Sequence, residues 1–150
     1  MRVVELHGHD DFRRAWPVMR ELRGHLSEGR WLELTDVMVP DGYRLLSLQE
    51  DDGFIAALAG IRVATNLYYG RHVWVYDLVT AESARSLGHG RTLMAAVEQL
   101  AEAEGCELVA LSSGLERADA HRFYEQHLGY SRVSYCFTKR VAPGDASIYR

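Results

Sequence analysis

The 150-residue sequence has only two cysteines, three prolines and one lysine, and it has no long apolar run. Cys106 and Cys136 are too few for a disulfide framework, and they lack the Cys-x-x-Cys spacing of zinc or thiol redox sites. No segment approaches the roughly 18–20 apolar residues of a membrane span, and the first residues lack the apolar region of a signal peptide. We therefore predict a cytoplasmic protein that does not insert into a membrane.

Charge of either sign is moderate, with 17 Lys and Arg against 21 Asp and Glu and a formal net charge of -4. The arginines are scattered along the chain and the excess is acidic, so nucleic acid is not predicted as a partner. With 47% hydrophobic residues, a chain of this length can bury one core and has little room for a second. We predict one domain over 1–150, with a core over about 3–139 and a C-terminal tail over 141–150.

The hydrophobic pattern predicts an α/β (α+β) order of elements, β-α-(α)-β-β-β-α-β-α-β. Strands are predicted over 3–6, 43–49, 54–65, 72–80, 108–111 and 131–139, the last as one strand or two. Helices are predicted over 12–22, 31–38, about 88–104 and 119–128. Asp10 or Asp11 is the predicted cap of the first helix, and Pro17 either kinks this helix or stands in its first turn; we favour the kink. The sheet should be mostly antiparallel at first and end with a parallel crossover.

The segment R-S-L-G-H-G, Arg85–Gly90, lies between the strand predicted over 72–80, which has the strongest strand pattern in the chain, and the amphipathic helix predicted over about 88–104. A helix N-terminus offers free amides and a positive dipole end to a phosphate. Gly88 and Gly90 have no Cβ, so a pyrophosphate can approach the backbone there, and Arg85 and Arg91 can add charge. The segment predicts an anion-binding loop, although two glycines that merely form a loop are the alternative.

Two familiar phosphate loops are excluded. The sequence contains no G-x-x-x-x-G-K-[ST], and Leu93 stands where G-x-G-x-x-G would need its third glycine. The polar stretch between Thr80 and Gly88 is also longer than the turn of a dinucleotide-binding unit. This favours a different nucleotide-binding mode, for which coenzyme A is the natural alternative.

R-S-L-G-H-G resembles the R/Q-x-x-G-x-G/A signature of the GNAT superfamily of acyl-CoA N-acyltransferases, and it follows the strand D-L-V-T at that family's spacing. A second motif, A-H-R-F-Y-E-Q-H-L-G-Y at Ala120–Tyr130, resembles the family's A-x-x-[FL]-Y-x-x-x-G-[FY] helix with one extra residue before Gly-Tyr. The resemblance covers Val73–Tyr130. It implies a single-domain GNAT-like fold, in which a central mixed, mostly antiparallel sheet has splayed fourth and fifth strands and is flanked by helices.

The resemblance implies acetyl-CoA as the acyl donor and no metal. The pantetheine arm would pair with the backbone of Leu78, Val79 and Thr80, where one amide would stabilise the oxyanion of the tetrahedral intermediate. The remaining implied coenzyme contacts are Arg85, Ser86, Leu87, Gly88, His89, Gly90 and Arg91. Arg117 stands where the family has an asparagine, and it either contacts coenzyme phosphate or forms a surface ion pair.

Tyr124 occupies the tyrosine position of the family's helix, so the resemblance implies that its phenol contacts the coenzyme and protonates the departing thiolate. A tyrosine with a pKa near 10 is protonated at neutral pH, as a general acid must be.

The base that accepts the proton of the attacking amine is less defined. Strand alternation predicts Trp74 and Tyr76 on one face and Asp77 on the other, so Tyr76 rather than a carboxylate faces the substrate. Asp77 is either the base or a structural residue at the splay of the strands. Glu33 and Asp36 of the second helical segment are outside candidates.

The predicted function is an acetyl-CoA-dependent N-acetyltransferase, in which a primary amine of a small molecule or peptide attacks the thioester directly in a ternary complex. The alternative is a non-catalytic acyl-CoA-binding sensor or interaction domain. The histidines do not suggest a metal site, because capping explains H-G-H-D-D better than ligation does. A homodimer formed through the late strands or the tail is a further expectation.

Overall fold

The computed structural model describes residues 1–143 and contains two compact units, one over 1–111 and one that begins at Ser112. The first unit contains a five-stranded sheet in the order β1-β2-β3-β4-β5. Its strands are β1 (Arg2–Leu6), β2 (Arg44–Gln49), β3 (Ile55–Asn66), β4 (Gly70–Thr80) and β5 (Leu108–Leu111). The first four strands pair antiparallel, and β5 runs parallel to β4. The predicted mixed sheet with a late parallel crossover is confirmed.

Three α-helices belong to this unit: α1 (Gly8–Leu22), α2 (Glu28–Met38) and α3 (His89–Ala103). The predicted cap of α1 is wrong, since His7 is the N-cap and Asp11 accepts the His7 amide from inside the helix at 3.0 Å. Pro17 lies within α1 and does not end it. The helix α2 starts earlier than predicted, because the Ser27 hydroxyl accepts the Arg30 amide at 3.0 Å.

The core of the first unit joins the apolar sides of α1 and α2 to the sheet. The rings of Phe12 and Trp16 each stack on Trp31 with centroids 5.4 Å apart. Buried members of the same cluster include Met19, Leu32, Leu45, Leu58 and Val79. The buried residues of α3 lie outside this cluster, and α3 packs against β3, β4 and β5. None of the helices in residues 1–143 is long and apolar enough to cross a bilayer.

A β-bulge lies in the middle of β4. Gly60 of β3 pairs with Asp77, but the next residue, Ile61, pairs with Val75, so Tyr76 is an extra residue on β4. Pairing of β4 with β5 ends at the same point, because the last pair is Val75 with Leu111. From Tyr76 onward, the part of the chain that the structure describes gives β4 no strand partner on its β5 side. Residues 76–80 of β4 therefore have an open edge on this side.

The second unit contains α4 (Ala118–Arg122), which continues into a π-helical turn, Phe123–His127. The Leu128 amide donates to the Phe123 carbonyl, five residues back, at 3.1 Å. A π turn holds one residue more than an α turn. The extra residue in the A-H-R-F-Y-E-Q-H-L-G-Y motif is therefore accommodated at this turn.

The strand predicted over 131–139 is not formed in the structure. Residues 129–140 form no β-strand hydrogen-bond ladder, and Val133, Tyr135 and Phe137 are exposed. The alternating apolar pattern is typical of a strand, but a strand exists only when a neighbouring strand pairs with it. Most of the predicted tail over 141–150 lies outside the described residues.

Candidate active site

The open edge of β4 carries the three residues predicted to hold the pantetheine arm. Leu78, Val79 and Thr80 pair with β3 on one side only. The Val79 side chain is buried in the core, so its contribution to a ligand would come from the backbone. A strand edge offers alternating N–H and C=O groups, which can pair with the amides of an extended ligand. These residues can therefore pack their side chains in the core while their backbone groups pair with a ligand.

The predicted anion-binding loop connects the end of β4 to α3. After a 3₁₀ turn at Glu82–Ala84, the backbone has a positive φ at Ser86 (64°) and again at Gly88 (81°). Ser86 is the one residue other than glycine with a positive φ in residues 1–143. Such strained conformations cluster at ligand sites. The loop thus has the irregular backbone expected of a binding site.

The N-terminus of α3 is open to a ligand. Gly88 is the N-cap and supplies no side-chain acceptor, and the first turn has no acidic residue. A Cβ placed on Gly88 would meet no atom within 4 Å, so the space beside it is free. The free amides and the dipole of α3 therefore face a position that an anion can occupy.

The two arginines predicted to add charge flank this loop. Arg85 donates from Nε to the Thr80 carbonyl at 3.4 Å, and its side chain is otherwise exposed. Arg91 and Leu87 are also exposed. Neither arginine forms an ion pair within the described residues. His89 is partly buried, and its Nε2 atom is enclosed without a hydrogen-bond partner.

The bulge of β4 is held by side chains from two other elements. Arg23, the C-cap of α1, donates from Nε to Asp77 Oδ1 at 2.8 Å, and its Nη2 lies 2.8 Å from the same oxygen in an ion pair. Nη2 of Arg23 also donates to the Tyr76 carbonyl at 2.8 Å. The Tyr43 hydroxyl donates to the other carboxylate oxygen, Asp77 Oδ2, at 2.7 Å. We call Arg23, Tyr43 and Asp77 the bulge network.

Gly60 makes room for the bulge network. A Cβ on this residue would overlap the Tyr43 hydroxyl and lie 2.5 Å from Asp77 Oδ2. Any larger residue would therefore push the phenol and the carboxylate apart.

Tyr43 is a neutral donor in this network. Burial raises the pKa of Tyr43 well above its usual value, the Asp77 carboxylate adds to the increase, and the Arg23 charge opposes it. The Asp77 charge is compensated by Arg23, which satisfies the requirement that a buried carboxylate have a partner. Both carboxylate oxygens are engaged.

Tyr43 provides a test of this hydrogen bond. We expect Tyr43→Phe to lower the free energy of unfolding by about 1–3 kcal/mol at neutral pH, because a buried carboxylate oxygen loses its donor. The raised pKa adds a pH dependence: the stability that this group contributes is complete below the unfolded-state pKa of about 10, and it declines as the pH rises above that value. Urea denaturation at a series of pH values should give a constant difference between wild type and variant up to about pH 9 and a smaller one above pH 10. A difference that widens above pH 10 would contradict the assignment.

The alternation predicted for Trp74, Tyr76 and Asp77 is wrong, because Trp74 pairs with Arg62 and Asp77 with Gly60, two residues apart on β3, so Trp74 and Asp77 lie on the same face. Tyr76 is 39% exposed, and its ring lies 5.9 Å from that of Tyr43, which also bonds Asp77. The bulge inserts one residue and interrupts the period of two that the prediction assumed. Sequence reasoning missed Arg23 and Tyr43; the one available signal was a lone aspartate in the apolar run V-Y-D-L-V, which requires buried partners.

The two outside candidates for the base lie on the exposed surface of α2. Glu33 pairs with Arg30 at 3.3 Å, and Asp36 bonds Nε2 of His9 at 2.7 Å. Both are ordinary surface pairs. No group of three or more potential metal ligands occurs in residues 1–143.

Tyr124 lies in the π-helical turn of the second unit. Its ring contacts those of Phe123 and Tyr130, with centroids 5.6 and 6.2 Å apart. Burial raises the pKa of Tyr124, and the Arg117 charge partly offsets the increase. Arg117, the N-cap of α4, is partly buried and has no ion pair among the described residues, so the predicted surface pair is not formed.

A sequence model of the acetyltransferase (GNAT) family matches residues 8–130, and the chain belongs to this family. The sequence is 36% identical over 142 residues to a Bacillus subtilis protein named uncharacterized N-acetyltransferase YhdJ, over 94% of this chain and 99% of that protein. It is 29% identical over 107 residues to the aminoalkylphosphonate N-acetyltransferase of Salmonella typhimurium, over 71% of this chain and 68% of that protein.

Solved structures show the same fold. The ribosomal-protein-alanine N-acetyltransferase from Brucella melitensis superposes with a TM-score of 0.77 at 15% identity, over 93% of this chain and 99% of that chain. AAC(6')-Iy, in complex with the bisubstrate analogue CoA-S-monomethyl-acetylneamine, superposes with a TM-score of 0.75 at 16% identity, over 95% of this chain and all of that chain. The expected GNAT fold is thereby confirmed.

Proposed function

We propose that this protein is an acetyl-CoA-dependent N-acetyltransferase that acetylates a primary amine of a small-molecule or peptide acceptor by direct attack in a ternary complex. The observation that carries the proposal is the open edge of β4, which leads into a loop with positive φ at Ser86 and Gly88 and then into a helix N-terminus that has no side-chain cap. Membership of the GNAT family supports it. The cytoplasmic location and the homodimer stay predictions.

The first unit supplies the groups that would hold the coenzyme. Backbone amides from Leu87 to Arg91 would bind the pyrophosphate, with Arg85 and Arg91 as counter-charges and Ser86 and His89 as part of the loop. Leu78, Val79 and Thr80 would pair with the pantetheine arm. An amide of this edge would donate to the thioester oxygen as negative charge develops there.

The reaction requires one proton donor and one proton acceptor. The amine nitrogen bonds to the acetyl carbon, the carbon–sulfur bond breaks, and Tyr124 gives its proton to the departing thiolate. A raised pKa keeps Tyr124 protonated at neutral pH, which suits this role. We retain Arg117 as a contact of the coenzyme, since its charge lies near Tyr124 and has no carboxylate partner in residues 1–143.

Tyr76 and Asp77 divide the remaining roles. Both oxygens of Asp77 accept hydrogen bonds from Arg23 and Tyr43, which favours the structural role over that of a base. Tyr76 is exposed at the bulge, so we assign to its hydroxyl the relay of the amine proton to water. The engaged Asp77 also favours the non-catalytic alternative, which predicts coenzyme binding without release of thiol for any amine.

Gly88→Trp tests the coenzyme site. We expect micromolar binding of acetyl-CoA to the wild type and at least about 100-fold weaker binding to the variant, because the indole fills the space in front of α3 and the amides lose their anion. Isothermal titration calorimetry measures both affinities. Gly105→Trp is the matched control, since Gly105 lies just beyond the other end of α3 with a φ of 71° and no neighbour within 4 Å.

The control carries the same backbone strain as Gly88→Trp and should bind acetyl-CoA as the wild type does. Equal binding by the folded Gly88→Trp protein, or none by the wild type, would remove the coenzyme assignment. Wild-type binding would justify measurement of free thiol with a panel of amines.

A further inference from the structure

We propose that Arg23 and Tyr43 are positioning residues for acetyl transfer: together with Asp77 they fix the bulge at Tyr76 and so set the direction of the amides along the open edge of β4. The proposal rests on the proposed function, since it concerns the strand that would hold the thioester. Neither residue lies in the two motifs that resemble the family's.

Arg23 fixes one peptide plane of the bulge. Its Nη2 donates to the Tyr76 carbonyl at 2.8 Å, while Nε donates to the carboxylate of the next residue, Asp77, at 2.8 Å. A trans peptide is planar, with C=O and N–H pointing in opposite directions. The guanidinium that holds the Tyr76 carbonyl therefore also sets the direction of the Asp77 amide hydrogen.

Tyr43 holds the same segment through the second carboxylate oxygen of Asp77. Its hydroxyl donates to Oδ2 of Asp77, so both carboxylate oxygens are held by donors from different elements, the end of α1 and the residue before β2. The absence of a side chain at Gly60 lets the phenol reach this position. Asp77 thus cannot rotate without breaking hydrogen bonds to Arg23 and Tyr43.

The bulge network lies where the open edge of β4 begins, beside the amides whose direction matters for acetyl transfer. Tyr76 is the extra residue of β4, and pairing with β5 stops one residue earlier, at Val75. Bulges next to active sites re-aim the groups that follow them. A displacement of about 1 Å in a reacting geometry costs roughly 100-fold in rate, so an edge with no partner on one side requires such support. The Arg23 and Asp77 side chains are only 20% and 10% exposed, which protects their ion pair from screening by salt.

Infrared spectroscopy of bound acetyl-CoA, labelled with carbon-13 at the thioester carbonyl, separates positioning from a purely structural role. An amide donor to this oxygen lowers the carbonyl stretching frequency relative to that of acetyl-CoA in water. We expect Arg23→Gln and Tyr43→Phe each to lose at least half of this shift. Free coenzyme A lacks the thioester carbonyl, so both variants should bind it with an affinity within about twofold of that of the wild type. Isothermal titration calorimetry measures these affinities.

Arg71→Gln is the matched control. Arg71 forms a partly exposed pair with Glu104 and lies at the start of β4, beside the turn that joins β3 to β4. This variant loses an arginine–carboxylate pair and should retain the full carbonyl shift. Arg23→Lys should recover part of the shift, since an ammonium can still donate to the Tyr76 carbonyl or to Asp77.

The outcomes are distinct. Wild-type protein that binds no acetyl-CoA would refute the proposed function itself. Two results would overturn the positioning role and leave the proposed function standing, provided that the wild type binds acetyl-CoA. In the first, the carbonyl frequency is unshifted in the wild type. In the second, the shift is the same in the wild type, Arg23→Gln and Tyr43→Phe. If Arg23→Gln does not fold, Tyr43→Phe carries the test, because it removes one hydroxyl and leaves the ion pair in place.

Discussion

Replacement of Tyr124 by phenylalanine should lower kcat for thiol release by about 10²- to 10⁴-fold, the range typical for loss of a positioned general acid. The variant keeps the ring and its contacts with Phe123 and Tyr130, so the affinity for acetyl-CoA should stay close to that of the wild type. Without the hydroxyl, the thiolate must leave unprotonated or take its proton from water. Steady-state assays with a thiol reagent, together with calorimetry, measure the two quantities separately.

The pH dependence of kcat provides an independent test of the acid role of Tyr124. Because burial raises the pKa of Tyr124, the acid should stay protonated across the neutral range, and the fall of kcat that its ionisation causes should appear only above about pH 10. This alkaline limb should be absent in the variant. Tyr135→Phe serves as the control, since Tyr135 is 73% exposed in the same unit and should leave kcat unchanged. A Tyr124→Phe enzyme with the wild-type kcat would exclude the acid role and would mean that water or another group protonates the thiolate.

Gly60→Ala should be the most destabilising single-methyl addition in the sheet, with a loss of about 2–6 kcal/mol in the free energy of unfolding. The added Cβ would lie 2.6 Å from Tyr43 Cζ and 2.5 Å from Asp77 Oδ2, so the phenol and the carboxylate must separate. The loss combines roughly 1–3 kcal/mol of overpacking strain with roughly 1–3 kcal/mol for the broken buried hydrogen bond. Chemical denaturation at pH 7 measures it.

Gly29→Ala is the contrasting substitution. Gly29 lies in α2, and its nearest atom to an added Cβ is the Ser27 hydroxyl oxygen at 4.0 Å, so the alanine should stabilise the protein by about 0.5–1 kcal/mol through helix propensity. The cost of Gly60→Ala should also be smaller in a Tyr43→Phe background, because the hydroxyl that the methyl group overlaps is gone. Equal stability of the wild type and Gly60→Ala would mean that the bulge network is not rigid.

The sequence predicted the elements that have strong local signals. Alternating β-branched and aromatic residues identified β4, and apolar spacing with a glycine at each end identified α3, within one or two residues of their bounds. The loop between them was recognised from Gly88 and Gly90 and from the resemblance to the GNAT signature. These features depend on residues that are neighbours in the chain.

The bulge network could not be predicted in the same way. Arg23, Tyr43 and Asp77 come from separate elements, and their meeting depends on a one-residue shift in the pairing of β3 with β4. A bulge has no side-chain period of its own, and the strict alternation assumed from Trp74 to Asp77 failed for this reason. The positive φ of Ser86 likewise results from the path of the loop rather than from the residue type.

The π-helical turn at Phe123–His127 affects how chain length can vary in this family's second motif. A π turn, with its hydrogen bond to the fifth residue back, holds the single extra residue. The Gly-Tyr that ends the motif is still bonded to the helix, since the Tyr130 amide donates to the Tyr124 carbonyl at 2.9 Å. Insertion and deletion are thus confined to one turn. Relatives whose motifs differ by a residue in length can share the same helix ends, and an alignment gap placed within residues 123–127 would reflect the physical position of the change.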